Sequence, residues 1–414
     1  MNLKEVKLTR IAAMMLIGCV LGFALLAAVY CLPLDTLRDA EGTAAIFREE
    51  GNRPAAIPGY PGSTGDGYTD ALMITEALFH DPQVSPLEQA VYVNRRAHSD
   101  SASADLVRLI EGGEMQWTIQ YTRYWHGFLV FLRPLLMVFS YADLRMLMCA
   151  AQVLMIVATA LSLDRKKHPE LMIPFLAACM TLSPMGTTLS LQYFSAYAIM
   201  MLGLLGVLWL DEKLVCGANY LYFFMLLGML TCYFDFLTFP IVTVCMPLAL
   251  ALYLHRDDAK LLRFAFSAGA AWCVGYLGFW AMKWVAGSLL VGKDLVYNAY
   301  HHAAYQMSTA DTVQGSRFEA ITRNVAAVMK PGYAAVYLAA LVCCILPMIR
   351  GRRDVRSLAQ GGRWLLVLLS LAPFVWWLMA ASHSMVHAIF THRLLAITVF
   401  ALLSFLVSAK EKRI

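Results

Sequence analysis

Two carboxylates lie four residues apart in a glycine-rich segment, Ser63-Thr64-Gly65-Asp66-Gly67-Tyr68-Thr69-Asp70. Because glycine lets a backbone approach a ligand closely, Asp66 and Asp70 are candidate general bases for a bound substrate. There are local alternatives: Asp70 could cap the helix that follows, and Asp66 between two glycines is typical of a plain turn. We favour Asp70 as the catalytic group, since it begins a predicted helix and is held in a more fixed position.

A second set of polar residues lies within or beside apolar stretches: His126, Arg133, Asp235, His383, His387 and Arg393. An ionisable group in such surroundings needs a partner or a use. His383 and His387 share one helix face, which suits a metal pair or a polar wall for a sugar or phosphate. No third ligand is near in sequence, so no metal site is predicted. Arg133 and Arg393 suit phosphate binding; snorkelling of Arg133 and a capping role for Asp235 are the alternatives.

The composition restricts the elements that can position these residues. The 414-residue chain is 60% hydrophobic and 15% charged, whereas soluble domains carry about 25% charged residues. Its apolar blocks suit helices that cross a bilayer, because a helix satisfies its own backbone hydrogen bonds in lipid. The sequence predicts an all-α polytopic membrane protein with one transmembrane domain over 1–414, and excludes a soluble enzyme or a nucleic-acid binder. About ten spans are predicted, at 11–33, 142–163, 171–186, 194–211, 219–234, 237–254, 263–286, 326–349, 363–381 and 394–409.

Basic residues recur along the chain in clusters, at the N-terminus, 165–167, 256–263, 350–363 and 410–413. The predicted spans let all of them face the cytoplasm, as the positive-inside rule requires, so both termini are expected there. The apolar segment 125–141 contains Arg133 followed by Pro134, which predicts an interfacial or re-entrant helix rather than a span. The absence of a cysteine framework and of external N-x-S/T sequons favours a bacterial inner membrane.

Two segments between the spans are too long to be simple connectors, 34–141 and 287–325, and both are predicted to be external. In the first, Leu72, Thr75 and Glu76 predict a short amphipathic helix, and residues 102–111 predict another. This loop is expected to lie on the membrane face as short helices, without forming a globular domain. Since the polar candidates fall on the outer side, we expect one external cavity.

With this layout, the chain resembles the GT-C superfamily of membrane glycosyltransferases over most of its length. The resemblance rests on the span number, the long external loop after the first helix, its short surface helices and its acidic residues. The Tyr124-Trp125-His126-Gly127 stretch with Arg133-Pro134, and the stretch from His383 to Arg393, look like the family's loop-helix and late-hairpin polar elements.

The resemblance implies transfer of a sugar from a polyprenyl-phosphate-linked donor to an acceptor on the outer face. Asp70 or Asp66 would be the base, and one base-activated hydroxyl would invert the sugar carbon. The substrate would be held by His126, Arg133, Asp235, His383, His387 and Arg393. No cofactor is expected, with a divalent metal on Asp66 and Asp70 as the alternative. The expected partners are the donor and membrane lipid, while the acceptor stays open.

Two other classes of function fit the same sequence. A transporter or flippase of a lipid-linked saccharide would place polar groups near the bilayer midplane and often contains inverted repeats. A non-catalytic membrane partner in polysaccharide assembly would leave the outer polar groups without a common purpose. A turnover assay with a labelled donor separates the enzyme from both.

Overall fold

The computed structural model describes residues 5–297, 300–301 and 316–412, and helices dominate this part of the chain. The predicted second loop, 287–325, therefore lies partly outside the described residues. The α-helices are, in chain order, α1 (Leu8–Tyr30), α2 (Ala40–Glu50), α3 (Gly67–Leu78), α4 (Pro86–Tyr92), α5 (Ala102–Ile110), α6 (Leu129–Val138), α7 (Tyr141–Arg165), α8 (Met172–Thr181), α9 (Pro184–Thr188), α10 (Leu191–Leu214), α11 (Asn219–Phe234), α12 (Val242–Leu254), α13 (Leu261–Val291), α14 (Arg317–Val328), α15 (Pro331–Ile349), α16 (Trp364–Leu369), α17 (Ala372–Met379), α18 (Ala381–Val386), α19 (Ala388–Thr391) and α20 (Leu395–Val407).

Six helices of the described chain are long and apolar enough to cross a membrane: Leu8–Tyr30, Tyr141–Arg165, Leu191–Leu214, Leu261–Val291, Pro331–Ile349 and Ala388–Val407. The last of these joins α19 and α20 through the 3₁₀ turn His392–Leu394. The predicted all-α membrane class is confirmed at this level. The other predicted spans contain shorter apolar helices, so the number of about ten stays a prediction.

Prolines divide three of the predicted spans. The span predicted at 326–349 is interrupted after Val328, and α15 begins at Pro331. In the span predicted at 171–186, α9 begins at Pro184, and in that at 363–381 Pro373 lies in the first turn of α17. Proline suits a first helical turn, since its missing N–H has no intrahelical partner there. These three apolar blocks therefore do not form single straight helices.

The first loop is a packed layer, and α3 contradicts the prediction of a surface helix. Ala71, Ile74 and Ala77 have no exposed area, and neither do Asp70 and Glu76. Polar residues that would face water on an amphipathic surface helix are here satisfied by other parts of the protein. The predicted helix over 102–111 is confirmed as α5, and its ending is explained by Gly112, which has a φ of 74°.

Two short β-ribbons complete the fold. The strand β1 (Asn94–Ala97) pairs antiparallel with β2 (Trp117–Gln120), and β3 (Arg353–Asp354) pairs with β4 (Lys410–Glu411). The segment 125–141 contains only the ten-residue helix α6, about 15 Å long and too short to cross a bilayer.

Glycines bring α11 and α13 into close backbone contact. A Cβ added at Gly228 would lie 2.2 Å from the carbonyl oxygen of Trp272, and one at Gly275 would lie 2.1 Å from that of Met225. Small residues at such positions let membrane helices pack tightly. This contact fixes the position of α13. The side chains of Trp280, Lys283 and Trp284 on this helix donate hydrogen bonds to the first loop.

Candidate functional site

The Asp66 carboxylate caps the helix α3. One of its oxygens accepts a hydrogen bond from the backbone N–H of Thr69 at 3.2 Å, and the other accepts one from the Thr69 hydroxyl at 3.0 Å. The Nε2 amide of Gln192 donates to the same carboxylate at 2.7 Å, and Asp66 is only 3% exposed. Asp66 therefore caps α3, the role that the sequence offered for Asp70, whereas a plain turn was the alternative for Asp66.

Asp70 lies one turn further along α3 and binds the start of another helix. Its carboxylate accepts the backbone N–H of Leu191 at 2.9 Å, the Ser190 hydroxyl at 3.1 Å and the Tyr141 hydroxyl at 2.7 Å. Leu191 is the first residue of α10, so Asp70 supplies a cap to a helix 121 positions away. A carboxylate is favoured there by the unpaired N–H groups of a helix start. With no exposed area, Asp70 has no open approach for a substrate.

Asp70 is also linked to α2 through a chain of hydrogen bonds. The Arg145 guanidinium donates to the Tyr141 hydroxyl at 3.0 Å and makes a two-point ion pair with Glu50 at 2.7 and 2.8 Å. Glu50, at the end of α2, is thus paired with a cation of α7. The arrangement tethers α2, α3 and α7 to one another around Asp70.

The two first-loop carboxyls have raised pKa values. Burial raises the pKa of Asp66, while the hydrogen bond from Thr69 and the charge of Arg53 lower it. Burial raises the pKa of Asp70 to about 7, against hydrogen bonds from Leu191 and Tyr141 that lower it. A raised pKa makes a carboxylate a stronger base once it is ionised. Both groups therefore suit proton transfer by this criterion, and access distinguishes them.

Arg53 lies opposite Asp66 because two parts of the loop run side by side. The backbone N–H of Gly65 donates to the Pro54 carbonyl at 2.7 Å, and that of Tyr68 donates to the Asn52 carbonyl at 3.2 Å. Arg53 is exposed, and it has no hydrogen bond or ion pair with any described residue. Sequence reasoning missed this cation, because only the fold brings residue 53 beside residue 66.

Tyr193, near the start of α10, and His387, on the last hairpin, lie close to Asp66 and Arg53. Tyr193 interacts electrostatically with both Asp66 and Arg53. Burial lowers the pKa of His387 to about 4, and the charge of Arg53 adds to this effect. The Tyr193 hydroxyl and the His387 Nδ1 are buried without a hydrogen-bond partner among the described residues. We call Arg53, Asp66, Gln192, Tyr193 and His387 the Asp66 cluster.

The predicted residues His383 and Arg393 lie next to this cluster. The rings of His383 and His387 are 4.8 Å apart. Among the described residues, no group of three or more His, Cys, Asp or Glu side chains is placed to hold a metal ion. His383 and His387 therefore contact each other through their rings. The carboxylates of Asp66 and Asp70 each accept hydrogen bonds from protein donors.

The guanidinium of Arg393 is occupied by backbone carbonyls, which leaves few of its N–H groups free to bind phosphate. It has no exposed area, and it donates to the carbonyls of Leu182 at 3.1 Å, Ile389 at 2.8 Å and Gly62 at 3.3 Å. Its guanidinium also stacks over the Tyr193 ring at 4.1 Å. It fastens the first loop and the end of α8 to the last hairpin, instead of facing an open site.

Arg133 is used in the same way at the other end of α3. Its guanidinium donates to the carbonyls of Ala77 and Phe79, where α3 ends, and to those of Val29 and Leu32, where α1 ends. A cation is favoured beside the unpaired carbonyls of a helix end. Arg133 was expected to bind phosphate or to snorkel. It is instead buried and joins the ends of α1 and α3.

His126 and Asp235 form a second group, distant from the Asp66 cluster along α3. His126 Nδ1 is 3.0 Å from the Glu76 carboxylate, with neither side chain exposed, and its Nε2 is 2.8 Å from the Tyr121 carbonyl. Asp235 accepts hydrogen bonds from the backbone N–H and the hydroxyl of Thr238. No local pattern indicated Glu76 as the partner of His126, because the two residues lie 50 positions apart.

A groove in the surface of the bundle starts one helical turn from Asp70. Its volume is about 370 Å³, and it is almost entirely apolar. Its lining includes Met73, three residues beyond Asp70, as well as Leu144 and Leu191. The lining residue Phe131 is 59% exposed, so the groove opens on the outer surface of the helices, where lipid chains would surround them.

Comparisons of the chain with family models, with curated proteins and with solved structures give no match in any of the three.

Proposed function

We propose that the chain transfers a glycosyl group from a polyprenyl-phosphate-linked donor to a hydroxyl acceptor at the membrane surface. One observation carries this proposal. The apolar groove of about 370 Å³ starts about one turn of α3 from Asp70 and about two turns from Asp66, both of which are buried. A lipid-linked sugar needs this combination, because its chain must stay in an apolar medium while its headgroup meets polar groups.

In this mechanism, Asp66 is the base. The acceptor hydroxyl passes its proton to the Asp66 carboxylate while its oxygen attacks the anomeric carbon. The bond from that carbon to the phosphate oxygen breaks, its electron pair leaves with the polyprenyl phosphate, and the sugar is inverted. Asp66 is preferred to Asp70 because the Asp70 carboxylate is completely enclosed by Leu191, Ser190 and Tyr141.

Arg53 takes the role that the sequence suggested for Arg133 or Arg393. A leaving phosphate is stabilised by a cation that can form charge-assisted hydrogen bonds. Arg133 and Arg393 bind backbone carbonyls, whereas Arg53 is exposed and lies opposite Asp66. The neutral His387 and the Tyr193 hydroxyl are available for hydrogen bonds to the sugar.

The proposal includes about ten spans, with both termini in the cytoplasm of a bacterial inner membrane. The shorter apolar helices support this number: the 16 residues of α11 extend about 24 Å, close to the ~30 Å hydrocarbon thickness. The basic clusters support the orientation. Labelling of an Arg356→Cys variant from outside intact cells, in a background without accessible native thiols, would overturn that orientation.

Purified protein in sealed proteoliposomes provides the test. With a radiolabelled polyprenyl-phosphate sugar and membrane extract as acceptor source, we expect release of polyprenyl phosphate and label on a new product. Movement of intact labelled donor across the bilayer without cleavage would instead establish a flippase. If donor is neither cleaved nor moved, the proposal fails in favour of a non-catalytic partner.

A further inference from the structure

The ribbon of β1 and β2 is attached to the helix α13 at residues 280–284. The indole N–H groups of Trp280 and Trp284 both donate to the Arg123 carbonyl, at 2.6 and 2.9 Å. Between them, the Lys283 ammonium donates to the carbonyls of Ala90 and Val91, each at 3.0 Å. These three contacts anchor the chain just before and just after the ribbon.

The apolar surface of α13 continues beyond this attachment. Val285 is 53% exposed, Leu289 is 81% exposed and Leu290 is 48% exposed. Leu289 lies about 7.5 Å along the helix from Trp284. Exposed leucine is favoured beside lipid over water. The ribbon is therefore attached beside an apolar stretch of α13, near the end of the span predicted at 263–286.

One face of the ribbon combines apolar and cationic groups. Arg95 lies opposite Ile119 in the pairing, and Trp117 lies opposite Ala97 on the same face. Trp117 is 54% exposed and Ile119 is 37% exposed. Tryptophan is the residue most typical of the membrane–water boundary. Arg123 lies three residues after the end of β2 and, like Arg95, interacts with Tyr121. We call Arg95, Trp117, Ile119 and the adjoining Arg123 the ribbon face.

The cations of this face have no anionic partner in the described part of the chain. The Nε atoms of Arg95 and Arg123 are buried without a hydrogen-bond partner there. Both guanidinium groups interact electrostatically with Tyr121, and that of Arg123 lies 4.8 Å from the Tyr121 ring centre. A third cation, Lys293, lies 5.1 Å from the ring centre of Tyr92, the residue that ends α4. The ribbon thus carries uncompensated positive charge next to exposed apolar side chains.

We propose that the ribbon face binds the phosphate of an anionic phospholipid in the adjacent leaflet. Arg95 and Arg123 hold the phosphate, while Trp117 and Ile119 enter the zone where the acyl chains begin. A planar guanidinium matches two phosphate oxygens at once. A lipid with a net negative charge is favoured over a zwitterionic one, because each basic side chain near a charged surface adds about 1 kcal/mol of attraction. The inference is independent of the proposed transfer reaction and of the orientation of the bundle.

The test compares lipid binding to the full-length protein in a neutral detergent. Phosphatidylglycerol, phosphatidylethanolamine and inorganic phosphate are titrated separately, and bound lipid is measured by native mass spectrometry. We expect the wild type to bind phosphatidylglycerol more tightly than phosphatidylethanolamine, with no competition from inorganic phosphate at equal concentration. The Arg95→Gln/Arg123→Gln variant should bind phosphatidylglycerol roughly tenfold or more weakly.

A matched control removes two cations from elsewhere in the first loop. Arg48→Gln/Arg108→Gln makes the same change in net charge at residues that already have partners, Glu111 and the Glu114 carbonyl. This control should keep wild-type affinity. Equal weakening in both double variants, or full affinity in Arg95→Gln/Arg123→Gln, would overturn the proposal. If the glutamine variant does not fold, Arg95→Lys/Arg123→Lys decides, with a several-fold weakening expected and an unchanged affinity contradicting it.

Discussion

Asp66 and Asp235 lie in two turns that are built in the same way. In each, the carboxylate accepts hydrogen bonds from the backbone N–H and the hydroxyl of a threonine three residues later, Thr69 or Thr238. Each aspartate is 3% exposed, and burial raises the pKa of both. The pattern Asp-x-x-Thr explains the turn in both places, and it does not separate a catalytic carboxylate from a structural one.

The two turns differ in what surrounds them. Asp66 is contacted by Gln192 and faces the exposed Arg53. Asp235 lies between Phe234 and Phe236 in sequence and is near the buried Tyr124. An exposed cation beside a carboxylate would attract a phosphate-linked substrate to it, and Asp66 has such a neighbour in Arg53. Residues from other segments of the chain, such as Gln192 and Arg53, therefore distinguish Asp66 from Asp235 as the candidate base.

The largest expected effect comes from the buried arginines that support both regions. Arg133→Met and Arg393→Met should each lower the free energy of unfolding by at least about 3 kcal/mol, because several buried carbonyls lose their donor. Thermal unfolding in detergent measures this. The exposed Arg48, paired with Glu111, provides the control, and Arg48→Met should change stability by less than about 1 kcal/mol.

If Arg393→Met melts like the wild type but no longer binds the donor, the structural assignment of Arg393 is wrong. The phosphate site would then lie at the last hairpin, and Arg53 would lose its proposed role.

A smaller effect is expected when the Glu76–His126 pair is broken. A double-mutant cycle with Glu76→Gln and His126→Asn should give a coupling energy of about 0.5–3 kcal/mol, since both side chains are buried and His126 Nδ1 lies 3.0 Å from the Glu76 carboxylate. Turnover per folded molecule should be unchanged in all three variants. Additive losses of stability would mean that the two side chains are not coupled. A specific loss of turnover would mean that this pair takes part in the reaction.

Asp235 should also make stability depend on pH. Burial raises its folded-state pKa to about 7, whereas an unfolded aspartate titrates near 3.9. Its contribution is therefore complete at low pH and is lost as the pH rises toward 7, because the folded state binds the proton more tightly. The melting temperature of Asp235→Asn should fall less between about pH 4 and pH 7 than that of the wild type. Parallel curves for the two proteins would contradict the raised pKa.

The smallest predicted effect concerns Arg53. Arg53→Gln should lower kcat/KM for the donor about tenfold, since one charge-assisted hydrogen bond to the leaving phosphate is lost at an exposed position. Arg48→Gln removes an equal charge from the same loop and should leave kcat/KM unchanged. A normal kcat/KM in Arg53→Gln would mean that another group holds the phosphate.

The features predicted from the sequence are those that depend on residues close together along the chain. The apolar blocks gave the helical membrane class, and Gly112 marked the end of α5. The roles of Asp70 and Arg393 were beyond its reach, because their partners Leu191 and Gly62 lie 121 and 331 positions away. The same holds for α3, whose burial depends on segments that no local pattern identifies.

The most direct measurement compares turnover of Asp66→Asn with that of Asp235→Asn. Asparagine keeps the size of aspartate and caps a helix about equally well, so both turns should be preserved. The account predicts that Asp66→Asn lowers the transfer rate by roughly 10²–10⁴, the usual effect of losing a general base, while Asp235→Asn stays near the wild-type rate. Wild-type turnover in Asp66→Asn, or equal losses in the two variants, would contradict the assignment of Asp66 as the base.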